Sequence, residues 1–530
     1  MSPHAARPQV GGVWGAPLLR RFLPALSRAL GPGARLVDPA APSPAYDADG
    51  LAEGYASARA VEGVVPCAGA RPLADGSLEL VRDRLGHRAL YVVESAEGVV
   101  FASTPHALVA AGAVEKRLSR HALALYLSCA YVPGATTLVE GVRALLGGER
   151  RRYDRAGRCV QVTRHELPPS PSRYEDEPTL THALRADLEA AVRRRLPPAG
   201  APIAATLSGG IDSSAVVAVA RRLHDGPLTA LSVWFGAAHA HELDWSRLVA
   251  THVGAPHVVV EVTPRDVETY FDATVAALAE PNGDPLTVPN TLLFRAAAEH
   301  AEVLFNGEGG DPCFGGPKNA PMLLATLLDD PTSTPAAQYL RAHQRLFDEL
   351  ERALGGDVDR AALEAEVAPA LMDPRWPGFL DRLMALNVTW KGAHHILPKI
   401  DRLSAPWGVT PASPLFDAEV VARAFTIPGE LKRRGADEKY LLKRSVAELL
   451  PRPIIDRPKS GMMVPVEAWF GDGPLTAWAA ERLRALPAPI DARWAVGLVH
   501  GPRRGLRPRR GVKVWLLLTF EAWWRRLGQG

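Results

Sequence analysis

Ser208-Gly209-Gly210-Ile211-Asp212-Ser213-Ser214 gathers three serines, a glycine pair and an acid into seven residues. A small apolar segment ending in Leu207 precedes it, and the apolar stretch Ala215–Leu223 follows. Read as strand, turn and helix start, this is a cradle for phosphate. Glycine lets oxygens approach the backbone, while hydroxyls and unpaired helix-start N–H groups donate to the anion. The Gly-Lys-Ser/Thr ending of a Walker A loop is missing. Asp212 is the informative residue. A carboxylate beside phosphates is repulsive unless a cation lies between them, so it implies bound magnesium. The plainer reading is a Ser/Asp-capped helix start.

A second loop weighs against that plainer reading. Asn306-Gly307-Glu308-Gly309-Gly310-Asp311 follows the short apolar strand Glu302–Phe305. In an open parallel sheet, ligands bind beyond the carboxyl ends of the strands. Two loops at that edge are expected to set Asp212 and Asp311 around one nucleotide, with phosphate oxygens and water completing a magnesium shell. An acidic surface loop is the competing reading.

The elements that must carry these loops follow from pattern. Residues 1–165 read as β-rich, with a hairpin at Leu90–Val93 and Gly98–Ala102 and a Ser119-capped helix to Ser128. The Pro-rich stretch Leu167–Ser172 marks a boundary before a second domain, 175–530. There, strands at 229–235, 257–262 and 302–305 alternate with helices at 179–195, 243–252 and 267–278. The expected fold is α/β, a parallel sheet with helices on both faces, and an all-helical part beyond about residue 320.

At 530 residues the chain is too long for one core. Its 47% hydrophobic and 22% charged residues suit a soluble enzyme, and a net charge of +3 offers no reason to expect nucleic acid as a partner. Four dispersed cysteines form no CxxC pair, which fits a reducing cytoplasm. No signal peptide is read at Met1–Gly12, and Val514–Phe520 is too short to span a membrane. The basic cluster Arg503, Arg504, Arg507, Arg509, Arg510 and Lys513 reads as a solvated tail, or as a lid over phosphates.

The ordered motifs resemble the glutamine-dependent asparagine synthetases and their relatives, the β-lactam synthetases and lasso-peptide macrolactam synthetases. Both glycine loops carry the resemblance. So do Arg82–Tyr91, Tyr131–Gly134 with Leu138–Val142, Asp401–Ser404 before Pro414–Asp417, Lys439–Lys443 and Arg457–Gly461. It implies a glutaminase-like N-terminal domain and an ATP pyrophosphatase domain of the adenine nucleotide α-hydrolase type. It also implies ATP and Mg2+ as cofactors. By that resemblance Leu207, Ser208, Gly209, Gly210, Asp212, Ser213, Ser214, Asn306 and Gly307 hold ATP and its pyrophosphate. Val233 matches the adenine-contacting position, though core packing explains it equally well. Lys459 matches a lysine that faces pyrophosphate, and Glu308 an acid between nucleotide and amine. His394 and His395 receive no role.

Four differences from one relative or another bear on function. Glutamine-hydrolysing relatives begin Met-Cys-Gly, whereas residue 2 is Ser and Val10–Trp14 has no cysteine; a thiolate route to ammonia is therefore not expected. Thr410 and Ala412 stand where asparagine synthetases carry Glu and Arg, and Pro317-Lys318-Asn319 fits relatives whose amine belongs to the substrate. Glu308 replaces the tyrosine of β-lactam synthetases. The expected reaction is adenylation of a carboxylate and capture by an amine, as in macrolactam closure on a small molecule or on a precursor peptide supplied with its protease. Asparagine synthesis from ammonia or a partner glutaminase, a β-lactam-type closure, and a regulatory nucleotide-binding protein are the alternatives.

Overall fold

The computed structural model describes residues 9–31, 34–39, 67–316, 319, 321–324, 333–457, 463–500 and 509–529. Two antiparallel-rich sheets build the N-terminal part. One runs in the order β2 (Arg35–Val37), β1 (Val10–Gly15), β6 (Gly98–Ala102), β5 (Tyr91–Ser95), β7 (Arg143–Ala144). The other is β3 (Ala68–Pro72), β4 (Leu78–Arg82), β8 (Glu149–Tyr153), β9 (Cys159–Arg164). Side chains alternate across the pleat, and here both faces of the first sheet are apolar. Trp14, Val92, Phe101 and Val99 meet Leu78, Leu80 and Tyr153 of the second sheet in one small core. Val13, Tyr91, Val100 and Ala102 point the other way and join the main core.

That main core is continuous with the second domain. The helix Arg120–Cys129, capped by Ser119 as its sequence predicts, is buried along most of its length. Tyr126 donates its hydroxyl to the Leu516 carbonyl at 2.8 Å, and Gly283 N–H bonds the Ala130 carbonyl at 2.8 Å. The C-terminal helix Arg510–Arg526 is likewise buried around Trp515. No helix among the described residues is long and apolar enough to cross a membrane.

The second domain's sheet is wholly parallel, in the order β12 (His257–Glu261), β11 (Leu228–Trp234), β10 (Ile203–Thr206), β13 (Val303–Phe305), β14 (Thr410–Ala412). The chain moves outward from β10 through β11 to β12, then returns to β10's other side for β13. A crevice at such a reversal lies between the two adjacent strands, and the loops after β10 and β13 open into it. β14 corrects the expectation of an all-helical C-terminal part. Its three residues include Pro411, and Pro cannot donate in a ladder, so it sits at the sheet's edge.

Candidate active site

The first loop takes its shape from local hydrogen bonds. Ser208 N–H donates to Ser213 Oγ at 3.1 Å, and Ser213 Oγ bonds the Gly210 carbonyl at 3.2 Å. Gly209 sits in the left-handed region at φ +73°, and a β-carbon there would lie 2.5 Å from the Trp245 backbone. The helix Ile211–Leu223 then begins at Gly210 with Asp212 and Ser213 in its first turn. Asp212 is 8% exposed, and Ser214 is fully buried with its hydroxyl unpartnered.

The second loop is packed onto that helix start. A β-carbon on Gly307 would fall 2.4 Å from Ser213 N, so only glycine permits this approach. Asn306 is fixed from both sides: its side-chain oxygen accepts from Glu308 N–H at 3.1 Å and from Ser413 Oγ at 2.9 Å. Its own N–H donates to the Ala412 carbonyl at 2.9 Å, so β14 steadies the loop. Ala412 is packed in the core and Thr410 is exposed. Val233 is buried near the end of β11, beside Val260 of β12.

These two loops bring Asp212 and Asp311 together around a third residue. Lys439 directs its ammonium at both, with Nζ 2.5 Å from Asp212 Oδ2 and 2.5 Å from Asp311 Oδ1. Burial favours the neutral amine, but attraction to the two carboxylates outweighs it and raises the lysine above its ordinary value. Lys439 stands within the Lys439–Lys443 motif, where sequence alone assigns it no role. Its one local signal is the left-handed backbone, φ +56°, invisible in sequence. Lys459 lies outside the described residues, as do Pro317, Lys318, Arg503, Arg504 and Arg507. Its neighbour Arg457 donates to the Gly209 carbonyl at 2.9 Å, pairs with Glu242, and lays its guanidinium 4.8 Å from the Trp245 ring.

The wall beside Glu308 is also charged and buried. Lys399, 3% exposed at its side chain, bonds Asp284 at 2.7 Å. Burial lowers its proton affinity, yet Asp284 and then Glu308 more than compensate and raise it. His395 stacks near Tyr131 at a centroid distance of 5.0 Å, and burial pushes both His394 and His395 well down, leaving them neutral. Both histidines ride on a π-helical stretch, Asn387–Ile396, whose Ala393 carbonyl accepts from Arg82 of the N-terminal domain. Two motif residues serve the fold. Arg82 also bonds the Leu145, Gly86 and Arg88 carbonyls, and Asp417 holds Arg194 and Arg195 at 2.7 Å each. Lys513 is no solvated tail residue: it is nearly buried and paired with Glu349.

All four cysteines are free thiols, and the three buried ones are unreactive. Burial pushes Cys67 and Cys129 up to about 12, and raises Cys313 as well. Exposed Cys159 on β9 is raised too, chiefly by partial burial.

Two family models match the chain: asparagine synthase over residues 183–525 and a glutamine amidotransferase domain over 73–164. The chain belongs to the asparagine synthase family. The first match spans both glycine loops, Lys439 and the parallel sheet, so the fold is an adenine nucleotide α-hydrolase-like domain behind an amidotransferase-like β-rich one. A putative glutamine-hydrolysing asparagine synthetase of Mycobacterium tuberculosis is 26% identical over 489 residues, 83% of this chain and 73% of that one. Asparagine synthetase 1 of Bacillus subtilis is 25% identical, covering 83% and 74%. Carboxyethyl-arginine β-lactam synthase of Streptomyces clavuligerus is 25% identical over 387 residues, covering 72% and 63%. The chain is an ATP-dependent carbon–nitrogen ligase of the asparagine synthetase type.

Proposed function

We propose that this ligase converts a substrate carboxylate into an acyl adenylate and closes it onto an amine that the substrate itself carries. Lasso-type macrolactam or isopeptide formation is the favoured reaction. The observation that carries the adenylation step is the convergence of Asp212 and Asp311, from two glycine loops, within 2.5 Å of one ammonium at the sheet's switch point. Among the described residues no group of three or more His, Cys, Asp or Glu could hold a metal alone. A pair of carboxylates around a cation fits magnesium that arrives on a triphosphate and keeps phosphate oxygens and water as its other ligands. When bound there, magnesium would offset the charge gathering on the departing pyrophosphate.

The chain's own residues are assigned as follows. Helix-start N–H groups and the hydroxyls of Ser208, Ser213 and Ser214 hold the phosphates, with Lys459 facing the pyrophosphate. A carboxylate oxygen attacks the α-phosphorus and the bond to pyrophosphate breaks. The amine nitrogen then attacks the acyl carbon, AMP leaves, and Glu308 takes the proton the amine gives up. Against ammonia from glutamine stands the chemistry of the thiols: Cys67, Cys129 and Cys313 are buried, and burial raises all three, while exposed Cys159 is raised as well, so none is poised as a thiolate.

Purified protein given ATP, magnesium, aspartate and ammonia separates this reading from the alternative. No asparagine should form, while a peptide bearing a free amine and a side-chain carboxylate should yield AMP and a product lighter by one water. Steady asparagine production would replace the proposal with an ammonia-using asparagine synthetase.

A further inference from the structure

Lys439 is placed as no ordinary salt-bridge lysine is. Its side chain is fully buried, and it touches one oxygen of each acid, Oδ2 of Asp212 and Oδ1 of Asp311. These acids come from loops 99 residues apart in sequence, and the lysine from a third segment. Its backbone is held in the left-handed region, unfavourable for a residue with a β-carbon, immediately before the helix Tyr440–Val446. The short hairpin Arg433–Arg434 with Asp437–Glu438 leads into it, and Lys443 ties back to Asp437. Lys432, the other buried lysine nearby, is engaged elsewhere, with Asp381 at 2.5 Å.

Two acids brought this close on separate loops repel each other and would splay. We propose that Lys439 is a positioning residue whose ammonium sets the spacing of Asp212 and Asp311 in the resting site, so that a divalent cation on a triphosphate meets a preformed acid pair. The inference rests on the metal reading of those two acids. It assigns the strained lysine and its hairpin a purpose that packing alone does not require.

Electron paramagnetic resonance titration of Mn2+ in the presence of a nonhydrolysable ATP analogue tests it, without needing turnover. Lys439→Met is expected to weaken Mn2+ binding at least tenfold, and Lys439→Arg to recover most of that loss. Unchanged binding by Lys439→Met overturns the inference. Tighter binding overturns it too, since the lysine would then merely occupy the ion's place. Should Lys439→Met fail to fold, Lys439→Gln, which keeps a polar side chain of similar reach without the ammonium, makes the same measurement, and Mn2+ affinity equal to wild type there contradicts it. Asp212→Asn serves as the control for the underlying reading. If it leaves Mn2+ binding intact, the metal assignment itself falls, a different result from a Lys439 variant that behaves like wild type while Asp212→Asn does not.

Discussion

A β-carbon on Gly310 would fall 2.1 Å from the carboxyl carbon of Asp212. The second loop therefore lies directly on the acid of the first, and the two cannot be altered independently. Gly310→Ala must push Asp212 aside or lift the loop from the helix start. An ångström of misplacement at a reacting centre can cost about 100-fold in rate. Carboxylate-dependent pyrophosphate release should drop by about that factor with circular dichroism unchanged. A variant with near wild-type release would show that the loop contact is dispensable.

Arg457 is tied to the first glycine loop through the Gly209 carbonyl, and its guanidinium is flanked by Glu242 and Trp245. Lysine cannot reproduce the planar fork and the stack together. Arg457→Met should raise KM for ATP about tenfold, since charged hydrogen bonds contribute roughly 1.5–3 kcal/mol, and Arg457→Lys should restore only part of it. Steady-state kinetics over an ATP range reads the effect; an unchanged KM contradicts it.

How much of this was legible without coordinates depended on how local each signal is. The first loop was, because strand, glycines, serines and acid lie in one run from Leu207 to Ser214, and the helix cap at Ser119 follows from its neighbours. The second loop was legible for the same reason. Lys439 was not, because its role arises from a contact 227 residues away from Asp212 and from a backbone angle that composition does not encode. β14 escaped because three residues with a central proline show no alternation, and its identity comes wholly from pairing with β13. The burial of His395 and Lys513 likewise depends on packing between distant segments, Tyr131 against His395 and Glu349 against Lys513.

The buried pair Lys399–Asp284 should behave as a unit. Removing one partner of such a pair costs about 3–5 kcal/mol because the other charge is left uncompensated. Lys399→Met should therefore lower the denaturation midpoint sharply, and Asp284→Asn/Lys399→Met should recover most of the loss. Chemical denaturation of both variants checks this, and equal destabilisation in the double variant would argue against mutual compensation.

Glu280, whose carboxylate accepts from the Tyr91 hydroxyl at 3.3 Å, predicts a pH dependence of stability. Burial raises it from 4.5 to about 7, so the folded protein binds this proton more tightly than the unfolded chain does. Its contribution is fully present below pH 4.5 and is lost as pH rises to about 7. The shift corresponds to something on the order of 3 kcal/mol. Glu280→Gln, which stays neutral, should flatten the fall in stability across that window. Denaturation curves at half-unit pH steps measure it; identical profiles for both proteins would refute the assignment.

The most direct measurement is a crystal structure with a nonhydrolysable ATP analogue and Mn2+. The triphosphate should lie against the glycine turn after β10, with an anomalous manganese peak between the carboxylates of Asp212 and Asp311 at roughly 2.0–2.3 Å from their oxygens. A triphosphate bound elsewhere, or a manganese peak that touches neither acid, would contradict the account.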